Sequence, residues 1–142
     1  MSASSTEKLW KLVRDPSLRT LAHSLGIEIT ELRKDLVKAT MPVDERTVQI
    51  HGILHGGASV ALAETLASIG ASAQVDLEKE YVVGLEINAN HIRAVKSGKV
   101  VGESRPLHVG RRTQVWQTEV KDEAGKLVSV SRCTLAVMAR EQ

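Results

Sequence analysis

From Ala58 to Val75 the chain carries one charged side chain, Glu64, in a run of alanines, leucines and small hydroxyl residues. The run is longer than a usual strand and rich in good helix formers, which predicts a helix. At 100° per residue, Glu64, Thr65, Ser68 and Ser72 fall within roughly one 100° arc. The remaining circumference is Val60, Ala61, Leu62, Ala63, Leu66, Ala67, Ile69 and Ala71. A single helix that is apolar nearly all round must be covered, and a curved antiparallel sheet can cover it.

The rest of the chain supplies that sheet. Ile27 and Ile29 alternate with polar residues, Arg33-Lys34-Asp35 can turn, and Leu36 to Met41 can return. Pro42 to Ile53 has no periodicity and is expected to be a loop. After the helix come four strand-like runs, Val82–Ile92, Lys99–Val109, Thr113–Lys121 and Leu127–Met138. Ser97-Gly98-Lys99 and the Asp122–Lys126 segment with Gly125 are the turns between neighbours, and turns this short favour antiparallel pairing. In the first of these runs Val83, Leu85, Ile87 and Ala89 alternate with Gly84, Glu86, Asn88 and Asn90, which predicts one continuous inward face. Upstream, Thr6 to Leu25 is expected to form one or two short helices. Asp15-Pro16 is read there as an N-cap with proline at the first helical position, and Gly26 as the stop. The expected class is α+β.

With 142 residues there is room for one core. Phe is absent and Trp10, Tyr81 and Trp116 are the only aromatics, so that core is aliphatic and gains from oligomer contacts. A net charge of +2 with almost no stacking platforms argues against nucleic acid. Cys133 is the only cysteine, so no internal disulfide can form. The first ten residues lack the apolar stretch of a signal peptide, and Glu64 with its hydroxyl neighbours disfavours a membrane span. The expectation is a cytoplasmic protein without membrane or nucleic-acid partners. No HxH spacing occurs and Cys133 has no partner cysteine, so no metal is expected. No GxGxxG, Walker-type loop, GxSxG elbow or CxxC occurs.

Two features carry chemistry. Glu64 sits among small residues instead of the lysines and arginines of an ordinary solvent face. One reading is a thin solvated stripe. The other is a carboxylate in a narrow cleft, where desolvation makes it a better base or nucleophile. His55-Gly56-Gly57 opens the helix, whose first N–H groups have no intrahelical partner and carry partial positive charge. Glycines there either shape the turn or admit a ligand to those donors, as an oxyanion hole requires. Gln49, His51, His91 and His108 are further polar candidates. Between His91 and Arg112, Arg93, Lys96, Lys99, Arg105, Arg111 and Arg112 face one acid, Glu103. Such a cluster either binds phosphate or marks exposed edge strands.

The run from Gly52 to Glu64, with GLEINANH (Gly84–His91) and PLHVGR (Pro106–Arg111), resembles the hotdog-fold thioesterases. The likeness is greatest to the 1,4-dihydroxy-2-naphthoyl-CoA hydrolases of menaquinone synthesis and the proofreading thioesterase of enterobactin synthesis. The Arthrobacter-type 4-hydroxybenzoyl-CoA thioesterases are less close. The resemblance implies a hotdog domain over residues 26–142 behind a helical segment, 1–25. It also implies a homo-oligomer, a tetramer of two dimers, with the active site at the subunit boundary. By position, Glu64 resembles the catalytic carboxylate, Gly56 the oxyanion donor, and His55 a neighbour of the thioester. Gln49 resembles the residue that orients water, and Ser68 the polar neighbour of the carboxylate. Gly84, the stretch His91, Ile92, Arg93 and Ala94, and the stretch His108, Val109, Gly110, Arg111, Arg112 and Thr113 resemble CoA-contacting segments. The implied reaction is hydrolysis of an acyl-CoA, or of an acyl or aryl carrier protein, with CoA as part of the substrate and no separate cofactor. The same fold also hosts hydratases, dehydratases and non-catalytic acyl-CoA sensors.

Overall fold

The computed structural model describes residues 3–141. Helices α1 (Ser5–Val13) and α2 (Leu21–Ser24) precede strands β1 (Glu28–Arg33) and β2 (Leu36–Pro42) and the long helix α3 (Gly56–Ser72). Strands β3 (Glu80–His91), β4 (Lys99–Val109), β5 (Thr113–Lys121) and β6 (Leu127–Ala139) follow. The six strands form one antiparallel sheet in the order β1-β2-β4-β5-β6-β3. Strands β2 to β6 all touch α3, so the sheet curves around the apolar helix as its sequence demands.

Close approach fixes where α3 sits. A β-carbon at Gly70 would lie 2.5 Å from the Trp116 ring, so its absence lets the helix settle on the indole. The Trp116 indole N–H donates to Gln114 Oε1 (2.9 Å), and Gln114 Nε2 donates to the Ala71 carbonyl (3.1 Å). Both side chains are fully buried. This pair of bonds ties the last turn of α3 to β5 and so sets the helix's position over the sheet.

Two local expectations change. Helix α1 is capped by Ser4, which exchanges hydrogen bonds with Glu7 in a capping box. Asp15 caps no helix: its carboxylate accepts from the Ser17 amide (2.9 Å) and hydroxyl (2.7 Å) and closes a turn. Those bonds hold the Asp15 carboxyl below its usual pKa. The second helix begins later, after Thr20, and Gly26 ends it with φ +72°.

The second change is in β3. Gly84 pairs with Leu135 and Glu86 with Thr134, so Leu85 is an extra residue, a β-bulge. The bulge reverses the alternation midway. Val82 and Ile87 pack on the core, whereas Val83 and Leu85 are 40% and 62% exposed. Alternation alone cannot reveal this, because an inserted residue leaves the pattern intact on both sides.

Candidate active site

Glu64 lies on the outer face of α3 and is exposed in the isolated chain. Gly84 of β3 borders it on one side, where a β-carbon would come within 3.3 Å of the carboxyl carbon and Oε2. The bulge at Leu85 directly follows, a common device for aiming residues beside a site. On the other side is a cavity of about 780 Å³ between α3 and the N-terminal segment. Glu64, Val60, Ala61 and Ser68 form its α3 wall, and Leu12, Leu18, Leu21 and Ile27 stand opposite. The Thr65 hydroxyl is spent on the Ala61 carbonyl (2.6 Å), while the Ser68 hydroxyl has no protein partner among the described residues. The solvated-stripe reading of Glu64 is therefore incomplete, since the carboxylate stands on the wall of a cavity.

The start of α3 is arranged around His55, its N-cap. His55 Nδ1 accepts from the Gly57 amide (2.7 Å), which in a neutral imidazole leaves the proton on Nε2. Ala58 and Ser59 amides both donate to the His55 carbonyl (3.0 and 3.3 Å). Gly56 N–H has no acceptor among the described residues, so it is the open donor of this turn. The His91 ring lies against it, and a β-carbon at Gly56 would sit 2.9 Å from His91 Nε2. Gln49 and His51 belong to the turn just upstream. There Gln49 Oε1 accepts from the His51 amide, and the Gly52 amide donates to the Gln49 carbonyl (2.9 Å).

One chain does not bring all of these groups together. Gly56 and Glu64 are eight residues apart on one helix, about 12 Å along its axis. His91 pairs with Ser129 of β6, and Ile92, Arg93 and Ala94 follow it at the Gly56 end. His108, Val109 and the Gly110-to-Thr113 turn lie at the other end, where Val109, Gln114, Leu135 and Gly84 pair in sequence across the sheet. Along β6 the two ends are about 23 Å apart. The basic cluster seen in the sequence is thus two groups. Arg93, Arg111 and Arg112 have no ion-pair partner among the described residues, whereas Arg105 pairs with Glu103 (3.7 Å).

Beside β3, on β6, lies Cys133, buried and paired with Ile87. Burial, and then the Glu64 and Glu86 charges, push its thiol up from 9.0 to about 11. The N-terminal leucines of the cavity were given no part by sequence reasoning. Their signal was faint: Leu12 ends the short helix α1, and Leu18 and Leu21 lie outside any amphipathic period long enough to notice.

Among known proteins, a family model described as Thioesterase superfamily matches residues 51–129. The 1,4-dihydroxy-2-naphthoyl-CoA hydrolase of Escherichia coli K12 is 50% identical over 114 residues, 80% of this chain and 83% of that protein. Proofreading thioesterase EntH of Cronobacter turicensis is 52% identical over 122 residues, 86% of this chain and 88% of that one. A crystal structure of a Haemophilus influenzae thioesterase superposes with a TM-score of 0.85 at 46% identity, covering 97% of this chain and 93% of the other.

Proposed function

The chain belongs to the thioesterase superfamily, has its hotdog fold and is a thioester hydrolase, and on that premise we propose that it releases CoA from an aryl-CoA such as 1,4-dihydroxy-2-naphthoyl-CoA. The observation that carries the chemistry is Glu64, the one carboxylate of an otherwise uncharged helix, set between Gly84 and a cavity. The aryl preference is supported by the half-identical naphthoyl-CoA hydrolase. The lone, buried Cys133 suits a reducing cytoplasm.

The reaction follows from the donors and the base. The thioester oxygen accepts from Gly56 N–H at the positive end of α3, where charge develops as the carbonyl becomes tetrahedral. The Glu64 carboxylate either attacks the carbonyl carbon or takes a proton from a water that attacks it. The carbon–sulfur bond then breaks and CoA leaves as thiolate. If Glu64 attacked directly, water hydrolyses the resulting anhydride and restores the carboxylate. His55 Nε2–H stands beside the thioester as a donor, the Gln49 amide orients water, and the Ser68 hydroxyl steadies the carboxylate.

Distance supports a shared site. A carbonyl cannot touch Gly56 N–H and Glu64 of one helix about 12 Å apart. A second copy added antiparallel along the free edge of β3 would bring the Gly56–His91 end of one chain to the Gly84–Glu64 end of the other. The same twofold would unite Arg93 of one chain with Arg111 and Arg112 of the other, as a phosphorylated carrier needs. We therefore assign the active site to a homo-oligomer, a dimer that pairs again into a tetramer.

The test is thiol release from naphthoyl-, benzoyl- and aliphatic CoA thioesters side by side. Glu64→Gln is expected to keep its fold and CoA affinity while losing at least about 10² in turnover. Near-normal turnover in that variant removes Glu64 from the mechanism.

A further inference from the structure

We infer that the N-terminal segment is a specificity element: with α3 it encloses the subsite that receives the apolar acyl group, and it favours flexible aliphatic chains as well as rings. The inference rests on the thioesterase reading for the head group attached to that acyl chain and for the carbonyl held at Glu64. A cavity of about 780 Å³ lies in the range of roughly 300–1,000 Å³ that encloses drug-sized ligands, well beyond a single ring.

Three observations select an acyl chain as occupant. First, the Glu64 carboxylate stands on the cavity wall. A thioester carbonyl held against it has open apolar space next to its acyl side. Second, on the N-terminal side of the cavity the polar side chains are engaged with one another or with nearby groups. Asp15 accepts from Ser17, Arg14 stacks over Trp10 at 4.2 Å, and Arg19 Nη1 lies 2.6 Å from His23 Nε2. Apart from Glu64 and Ser68 at the carbonyl end, what is left facing the space is mostly aliphatic. Third, Leu12, Leu18 and Leu21 are 52%, 38% and 63% exposed although they come from one short stretch. Leucines gathered around an open cavity gain by contact with an apolar guest.

The segment is placed to act as a wall. Helix α1 is fixed to the body by Leu9, which is buried, by Trp10 and Val13 against the core, and by the Ser5 hydroxyl donating to the Val75 carbonyl (2.6 Å). The stretch from Pro16 to Leu21 hangs from that anchor and carries two of the leucines. With no Phe, Tyr or Trp lining the cavity among the described residues, recognition there depends more on area than on ring stacking. Chain length of the guest should then set affinity, each fully buried methylene adding roughly fourfold.

The experiment compares binding of CoA and of the uncleavable thioether S-octyl-CoA by calorimetry, in the full-length protein and in Leu21→Asp. The probe is independent of turnover. S-octyl-CoA is expected to bind at least about tenfold more tightly than CoA, and Leu21→Asp should erase most of that ratio. A second variant, Leu18→Asp, should do the same, and Leu21→Met should retain it. Equal affinity for the two ligands in the unaltered protein overturns the inference. So does an octyl preference that survives both aspartate variants, including the case where their mass in solution changes, which would assign the leucines to a contact between copies. An octyl preference without release of thiol from any thioester would leave the cavity assignment standing and sink the proposed reaction. Thiol release without an octyl preference would do the reverse.

Discussion

Gly56 offers an unusually clean test of a single donor. It is the first residue of α3, where proline is tolerated because its fixed φ suits the helix and the missing N–H has no helical partner. The residue before it, His55, already has the extended backbone that proline imposes (φ −70°, ψ 129°). Gly56→Pro should therefore delete the open N–H with the helix kept, the His91 ring moving aside. The expected loss is about 10² to 10³ in kcat, with the circular dichroism spectrum unchanged. A variant turning over at the parent rate would show that Gly56 is not the oxyanion donor. Cys133 gives a second measurement at this scale. With its thiol pushed up to about 11, it should stay unreactive to a thiol-specific disulfide reagent at neutral pH until the protein is unfolded. Because the folded state favours the neutral thiol, the group's contribution to stability is complete below about pH 9. It should fade as pH rises from about 9 to 11, visible as a falling Tm.

Among the elements, the seating of α3 decides where Gly56, Glu64 and Ser68 point. Its outer face is aimed by contacts on its inner face: Trp116 on Gly70, and Gln114 bridging the indole N–H and the Ala71 carbonyl. Gln114→Leu keeps the volume but leaves the buried indole N–H without its acceptor. A loss of about 1–3 kcal/mol is expected in urea unfolding. The same variant should lower kcat more than it raises KM, since Glu64 would lose its alignment. An unaltered Tm and kcat would show that shape alone seats the helix. Strand β3 is the other decisive element. Its bulge places Gly84 against Glu64 and sends Val83 and Leu85 outward along a free edge of the sheet. Exposed aliphatic side chains on a free edge strand of 12 residues invite strand pairing.

For the molecule as a whole, the shared site can be checked by mixing. Glu64→Gln and Gly56→Pro proteins, each nearly inactive, should regain activity when refolded together. Random pairing makes half of the dimers mixed, each with one intact site of two, so about one quarter of parental activity is expected. A site confined to one chain would recover nothing.

Much of this protein is legible in the amino-acid order. The apolar run around Glu64 and the turn residues between the later strands foretell one helix in an antiparallel sheet, because local periodicity and turn chemistry act over a few residues. His55, Gly56, Gly57 and Glu64 also stand out, since each departs from its neighbours in kind. Tertiary structure decided three further matters. An extra residue at Leu85 shifted the inward face of β3, the sheet's course parted Arg93 from Arg111 and Arg112, and the fold carried Leu12, Leu18 and Leu21 to the carboxylate. All three depend on strand register and on contacts between distant segments. Such contacts exist only after the chain has closed on itself.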